Sequence, residues 1–209
     1  GVGRFLMKYA DCEFALESAL EELEVDPYPI PAGQRARRAT GAAVGVATGL
    51  MEACVPNSAG RVMLFVAGAT TCGPGLVVST DLEESIRCHQ DFEKDLAKHY
   101  KKGCKYYQGL AQRLVQAGQT LDVFACALDQ VGLAEMRVAV DSTGGLMVLA
   151  ETFVHPTYRQ SLQRHLERDA AGHLKMAFGA TFEAWCSREM RVSGAIGPLS
   201  SLGKQGAAV

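Results

Sequence analysis

The sequence predicts a layered α/β domain with a mainly parallel sheet, and three observations carry that expectation. Residues 62–67 form a continuous apolar run bounded by glycines, and residues 121–127 and 146–150 have the same texture. Such runs suit strands covered on both faces, whereas strands with one wet face alternate. Stretches with helical spacing separate the runs, and strands alternating with helices build a parallel sheet. The pattern ends after Gly172, where aromatic and β-branched residues partly alternate with no helix between them.

The first helix is expected from Asp11, a suitable N-cap, with Phe14, Leu16, Leu20 and Leu23 recurring at mostly three- and four-residue steps. It must stop before Pro27. Pro27, Pro29 and Pro31 remove donors and push the residues before them toward extended geometry, so residues 26–31 read as an extended connector. Residues 40–51 are rich in Ala, Gly and Val, a composition suited to a helix packed closely on a sheet. The longest helical signal opens at Asp91 and closes at Gly118, with Phe92, Leu96, Tyr100, Gly103, Tyr107, Leu110 and Leu114 on one stripe. At about 1.5 Å per residue it would span roughly 40 Å. A further helix is expected from Thr157 to about Glu167 through Tyr158, Leu162 and Leu166. Beyond Gly172, residues 173–178 and 182–192 read as paired antiparallel strands.

Composition narrows the classes. The chain has 209 residues, 48% of them hydrophobic, enough for one sizeable core. Its 21 basic and 23 acidic residues nearly cancel, so whole-chain charge gives no argument for nucleic acid or membrane. Seven cysteines without a C-x-x-C pair fit reduced thiols in a cytosolic chain better than a disulfide framework or zinc cluster. No window approaches the roughly 20 apolar residues of a membrane span.

Catalytic motifs are scarce. The glycine-rich stretch 68–75 follows a strand, but it matches neither phosphate-loop pattern, Pro74 lacks a donor and no lysine follows. Cys72 within it has no neighbouring base or cation to lower its pKa. The histidines are spaced more widely than zinc ligands usually are, and no metal or other cofactor is expected in this chain. Asp129 lies just beyond a strand end, where α/β folds place ligand-binding residues, although turn and cap aspartates are common there. Lys94, Lys98, Lys101 and Lys105 recur at steps of four, three and four, with Lys102 beside them. On one helix they form a basic stripe, read either as a solvated face or as a surface for an anionic partner or lipid headgroups. Arg35, Arg37 and Arg38 form a shorter cluster open to the same two readings.

Several blocks in unbroken order resemble one family. They are residues 26–31 with Gly33 and Arg35, Pro56-Asn57, Arg61 to Phe65, Cys72 to Gly75, Ala125 to Gln130 with Gly132, Leu133, Glu135 and Met136, Thr143 to Gly145, Ser187 to Glu189, and Ser193 to Pro198. From about Asp26 to Leu202 the chain resembles the GTPase-activating inner-coat subunit of the COPII vesicle coat, in its trunk. The resemblance implies a von Willebrand factor A-like trunk over residues 1–172, lacking its first strands, followed by the start of a β-sandwich at residues 173–209. A trunk without those strands would leave a long apolar edge, so the isolated chain is expected to fold poorly.

The same resemblance implies function for the full-length family member. It binds the coat's small GTPase, the cargo-binding sister subunit and the outer-coat subunit, touches the anionic endoplasmic-reticulum membrane from the cytosol, and binds no nucleic acid. It speeds GTP hydrolysis by inserting an arginine into the phosphoryl-transfer site. That arginine belongs to a later gelsolin-like domain and the family's zinc finger lies upstream, so neither is expected here, and the chain reads as a scaffold rather than an enzyme. Thr71, Gly73 and Pro74 and the four stripe lysines are the interface candidates. The competing functions are an α/β enzyme using Cys72 or Asp129 and a metal-dependent adhesion module, whose D-x-S-x-S signature is absent.

Overall fold

The computed structural model describes residues 7–55, 59–177, 180–195 and 203. Three parallel strands, β1 (Gly60–Val66), β2 (Gln119–Cys126) and β3 (Met147–Ala150), lie in the order β1-β2-β3. Val62 pairs with Leu121, and Phe124 with both Phe65 and Val148. Six helices accompany them among the described residues: α1 (Tyr9–Glu21), α2 (Thr40–Cys54), α3 (His89–Glu93), α4 (Tyr100–Gln116), α5 (Leu133–Thr143) and α6 (Pro156–His165). The three apolar runs and the parallel α/β architecture expected of a von Willebrand factor A-like trunk are therefore present.

Strand parity assigns the two faces. Leu121, Val123 and Ala125 point to one side, where Val44 of α2, Tyr107, Leu110 and Leu114 of α4 and Met136 and Val140 of α5 complete the main core. Phe124 and Cys126 point to the other, against Val148 and Tyr158 of α6. Flanking strands on both edges and helices on both faces bury β2 almost throughout, which explains why its sequence from Leu121 on is apolar apart from Asp122. Gly41 lets the start of α2 pack against the 73–75 loop: a Cβ there would collide with the Pro74 carbonyl.

The long helix expected over residues 91–118 is broken. Asp91 does mark a helix start, because its carboxylate accepts from the Cys88 N–H at 2.7 Å, but that helix ends at Glu93. Asp95 then takes a positive φ of 56°, and α4 begins only at Tyr100. Leu96 lies in the intervening loop, 65% exposed, rather than on the core stripe. The first helix starts two residues before the expected Asp11 and buries no side chain.

The paired strands expected at 173–192 do not form among the described residues, where the one ladder contact is an isolated bridge between Arg168 and Leu174. Two extended segments without a covering layer are marginal in water. Phe182 and Trp185 are accordingly 76% and 82% exposed, with no sheet against them to bury. Pro56, Asn57, Phe178, Ile196, Gly197, Pro198 and Leu202 lie outside the described residues.

Candidate interaction surface

The carboxyl ends of the parallel strands open onto connecting segments 67–88, 127–132 and 151–155, and this rim is where open α/β sheets bind ligands. Its rigid element is Arg87, at the end of the first segment. The guanidinium is only 7% exposed and donates through Nε to Glu135 Oε1 at 2.7 Å, through Nη2 to Glu135 Oε2, and through Nη1 to Gln130 Oε1 at 2.5 Å. Glu135 is the third residue of α5, where a carboxylate favours the positive end of the helix dipole. Gly132 precedes α5 with a φ of 99° and has the Val77 side chain where a Cβ would stand, so both conformation and space require glycine.

A cavity of about 320 Å³ lies on this rim, between the 127–134 segment, Arg87 and Leu149. Its walls are mostly apolar, and Asp129 is the one exposed charge among the lining residues. The Asp129 carboxylate accepts from the Gln130 N–H at 2.7 Å, a turn contact within the exposed 128–130 segment. Leu128 and Leu149 are 90% and 60% exposed beside it.

The opposite side of β2 holds a second ionic cluster that the apolar run concealed. Asp122 is fully buried and accepts from Arg61 Nε at 2.8 Å, Arg61 Nη2 at 2.6 Å and the Leu146 N–H at 2.8 Å, while His165 Nε2 lies 3.0 Å from its Oδ2. Burial alone would push the Asp122 carboxyl up, but the Arg61 and Leu146 bonds and the charges of Arg61 and His165 outweigh it and hold it below the usual carboxylate range. Arg61 comes from edge strand β1 and His165 from the last turn of α6, so one carboxylate ties both to the central strand.

The sequence candidates separate. Thr71 is buried and its hydroxyl is spent in the fold, donating to the Ala36 carbonyl at 2.6 Å and accepting from the Arg38 N–H at 2.8 Å. Gly73 and Pro74 are exposed on the same loop. The lysines do not share one helix: Lys94 caps α3, Lys98 lies in the loop with Nζ 3.8 Å from Glu84, and only Lys101 and Lys105 are on α4. Lys101 Nζ donates to Asp95 at 2.5 Å. The arginine cluster also divides, because Arg35 clamps the carbonyls of Ser79, Asp81 and Glu84 while Arg37 and Arg38 stay exposed. Cys72 is half-buried, Cys126 is core, and His155 accepts from the Thr157 N–H at the start of α6. Among the described residues no three His, Cys, Asp or Glu side chains converge as a metal site.

The profile of the Sec23/Sec24 trunk domain matches residues 1–170. The chain belongs to the Sec23/Sec24 trunk family. It is 47% identical over 206 residues to protein transport protein SEC23 F of Arabidopsis thaliana, covering 99% of this chain, and 46% identical over 205 residues to SEC23 C of the same plant. The trunk chain spans 27% of the length of each of these relatives. A crystal structure of the human COPII-coat protein Sec24c aligns with a TM-score of 0.45 at 21% identity, over 62% of this chain and 17% of that one. No described helix of the trunk is long and apolar enough to cross a membrane.

Proposed function

We propose that this chain is the trunk of a COPII inner-coat subunit, a scaffold that binds the coat's small GTPase and the cargo-binding sister subunit during endoplasmic-reticulum-to-Golgi vesicle formation. The observation that carries the reading is the 47% identity to a SEC23 protein across almost the whole chain. In the full-length protein the trunk positions the later domain whose arginine stabilises charge in GTP hydrolysis, and the outer-coat subunit assembles on the same particle. The zinc finger belongs to the segment upstream of the trunk. The protein works at the cytosolic face of endoplasmic-reticulum exit sites, held there peripherally.

The deciding experiment measures GTP hydrolysis by the coat's small GTPase alone, with this chain, and with the chain extended through the gelsolin-like domain. Stimulation by the extended protein only is the expected result. Stimulation by the 209 residues alone would place a catalytic arginine within them and overturn the scaffold reading.

Lys101, Lys102 and Lys105 give the scaffold a membrane-facing candidate. Lys101 and Lys102 lie in the first turn of α4, which carries no acidic residue, so the helix dipole opposes them, and Lys105 lies a turn further on. An anionic lipid surface would relieve that opposition, and each lysine near such a surface contributes about 1 kcal/mol. Replacing Lys101, Lys102 and Lys105 by glutamate in the full-length protein is expected to weaken recruitment to phosphatidylserine-containing vesicles, most strongly at low salt. Unchanged vesicle recovery on flotation would return these lysines to the role of a solvated surface.

A further inference from the structure

We infer that the rim cavity beside Asp129 is a docking pocket for a partner segment that presents one apolar side chain with a lysine or arginine next to it. The shape comes first. A cavity of about 320 Å³ accommodates a single leucine- to phenylalanine-sized side chain, and its apolar wall, Leu128 and Leu149, stays exposed among the described residues. Rigidity comes second. Arg87 is fixed by Glu135 and Gln130, and Gly132 holds the turn into α5, so the pocket exists before anything enters it. A preformed pocket avoids the ordering cost that weakens binding to mobile loops.

Charge selects the occupant. Arg87 is neutralised by Glu135 behind the wall, which leaves Asp129 as the exposed charge of the lining. A cation beside the apolar anchor would meet a carboxylate, whereas an acidic neighbour would be repelled. The inference rests on the geometry of the rim and stands whether or not the chain takes part in GTP hydrolysis.

The test uses the full-length protein and fluorescein-labelled nonapeptides, each with one central leucine between two lysines in a glycine-serine background. Anisotropy titration is expected to show saturable binding that weakens at least about tenfold when the peptide leucine becomes alanine, the loss expected for one buried leucine. Ala134→Phe, at an exposed position of the wall, should weaken it similarly by filling the cavity. Asp129→Lys should weaken it about threefold at low salt, as for an exposed ion pair. Thermal unfolding of both variants confirms that the trunk is intact. The proposal is overturned if no peptide saturates at millimolar concentration, if peptides with glutamate in place of lysine bind equally well, or if the folded Ala134→Phe protein binds as the parent does.

Discussion

Asp122→Ala is expected to lower the stability of the trunk by about 3–5 kcal/mol, the range for removing one partner of a buried ion pair. Three consequences converge on that change. Arg61 would lose both its bonds, the Leu146 N–H would lose its acceptor at the entry to β3, and His165 would lose the contact that holds the last turn of α6. The urea midpoint of the trunk transition in the full-length protein measures the loss. The exposed Arg113–Glu52 pair is an internal control, since removing an exposed ion pair should move the midpoint far less. If Asp122→Ala costs no more than the control, the cluster does not hold the sheet together.

The pH dependence has a definite sign. Because the folded Asp122 carboxyl titrates below its ordinary value, its contribution is complete above the unfolded pKa, near 3.9, and disappears as pH falls through the lower folded value. The parent protein should therefore lose stability steeply below about pH 4, and Asp122→Asn should flatten that limb while lowering the neutral-pH plateau. A double replacement, Asp122→Leu with Arg61→Met, should recover part of the loss, since the guanidinium is no longer stranded, while His165 and the Leu146 N–H still lose their partner.

The strands were legible because burial on both faces leaves an unambiguous composition, and β1 and β2 begin within two residues of their apolar runs. Asp122 was not legible as a site, because a single carboxylate inside an apolar run gives no sign of which side chains will reach it from 61 and 165. The break before α4 was hidden for a different reason. Asp91 is a true helix-start signal, and Leu96 and Tyr100 continue its apolar spacing, so a periodicity count cannot register the positive φ of Asp95 between them. The basic stripe dissolved with that helix, since steps of four, three and four share a face only while the helix runs on. Arg87 was missed altogether: it belongs to no motif, and its meaning arises only when a 48-residue loop closure brings it to Glu135.

That closure makes Glu135→Ala the other substitution with a large expected effect. Glu135 is fully buried, and its removal would strand the Arg87 guanidinium with Gln130 as its remaining side-chain acceptor and the Phe92 ring 4.9 Å from its centre. A buried cation without its counter-charge costs about 3–5 kcal/mol, and the first turn of α5 would also lose an acidic residue worth about 0.3–1 kcal/mol. Arg87→Met with Glu135→Leu should again be milder than either single change, since the guanidinium and carboxylate would be lost together. The rim pocket distinguishes this from a merely structural defect. Arg87 forms part of the wall, so the double variant should keep much of its thermal midpoint yet bind the leucine-lysine peptide differently from the parent. Thermal unfolding and peptide anisotropy on the same preparations separate the two effects. A Glu135→Ala midpoint within about 1 kcal/mol of the parent would mean that water reaches Arg87, and that the rim is too soft to be a preformed pocket.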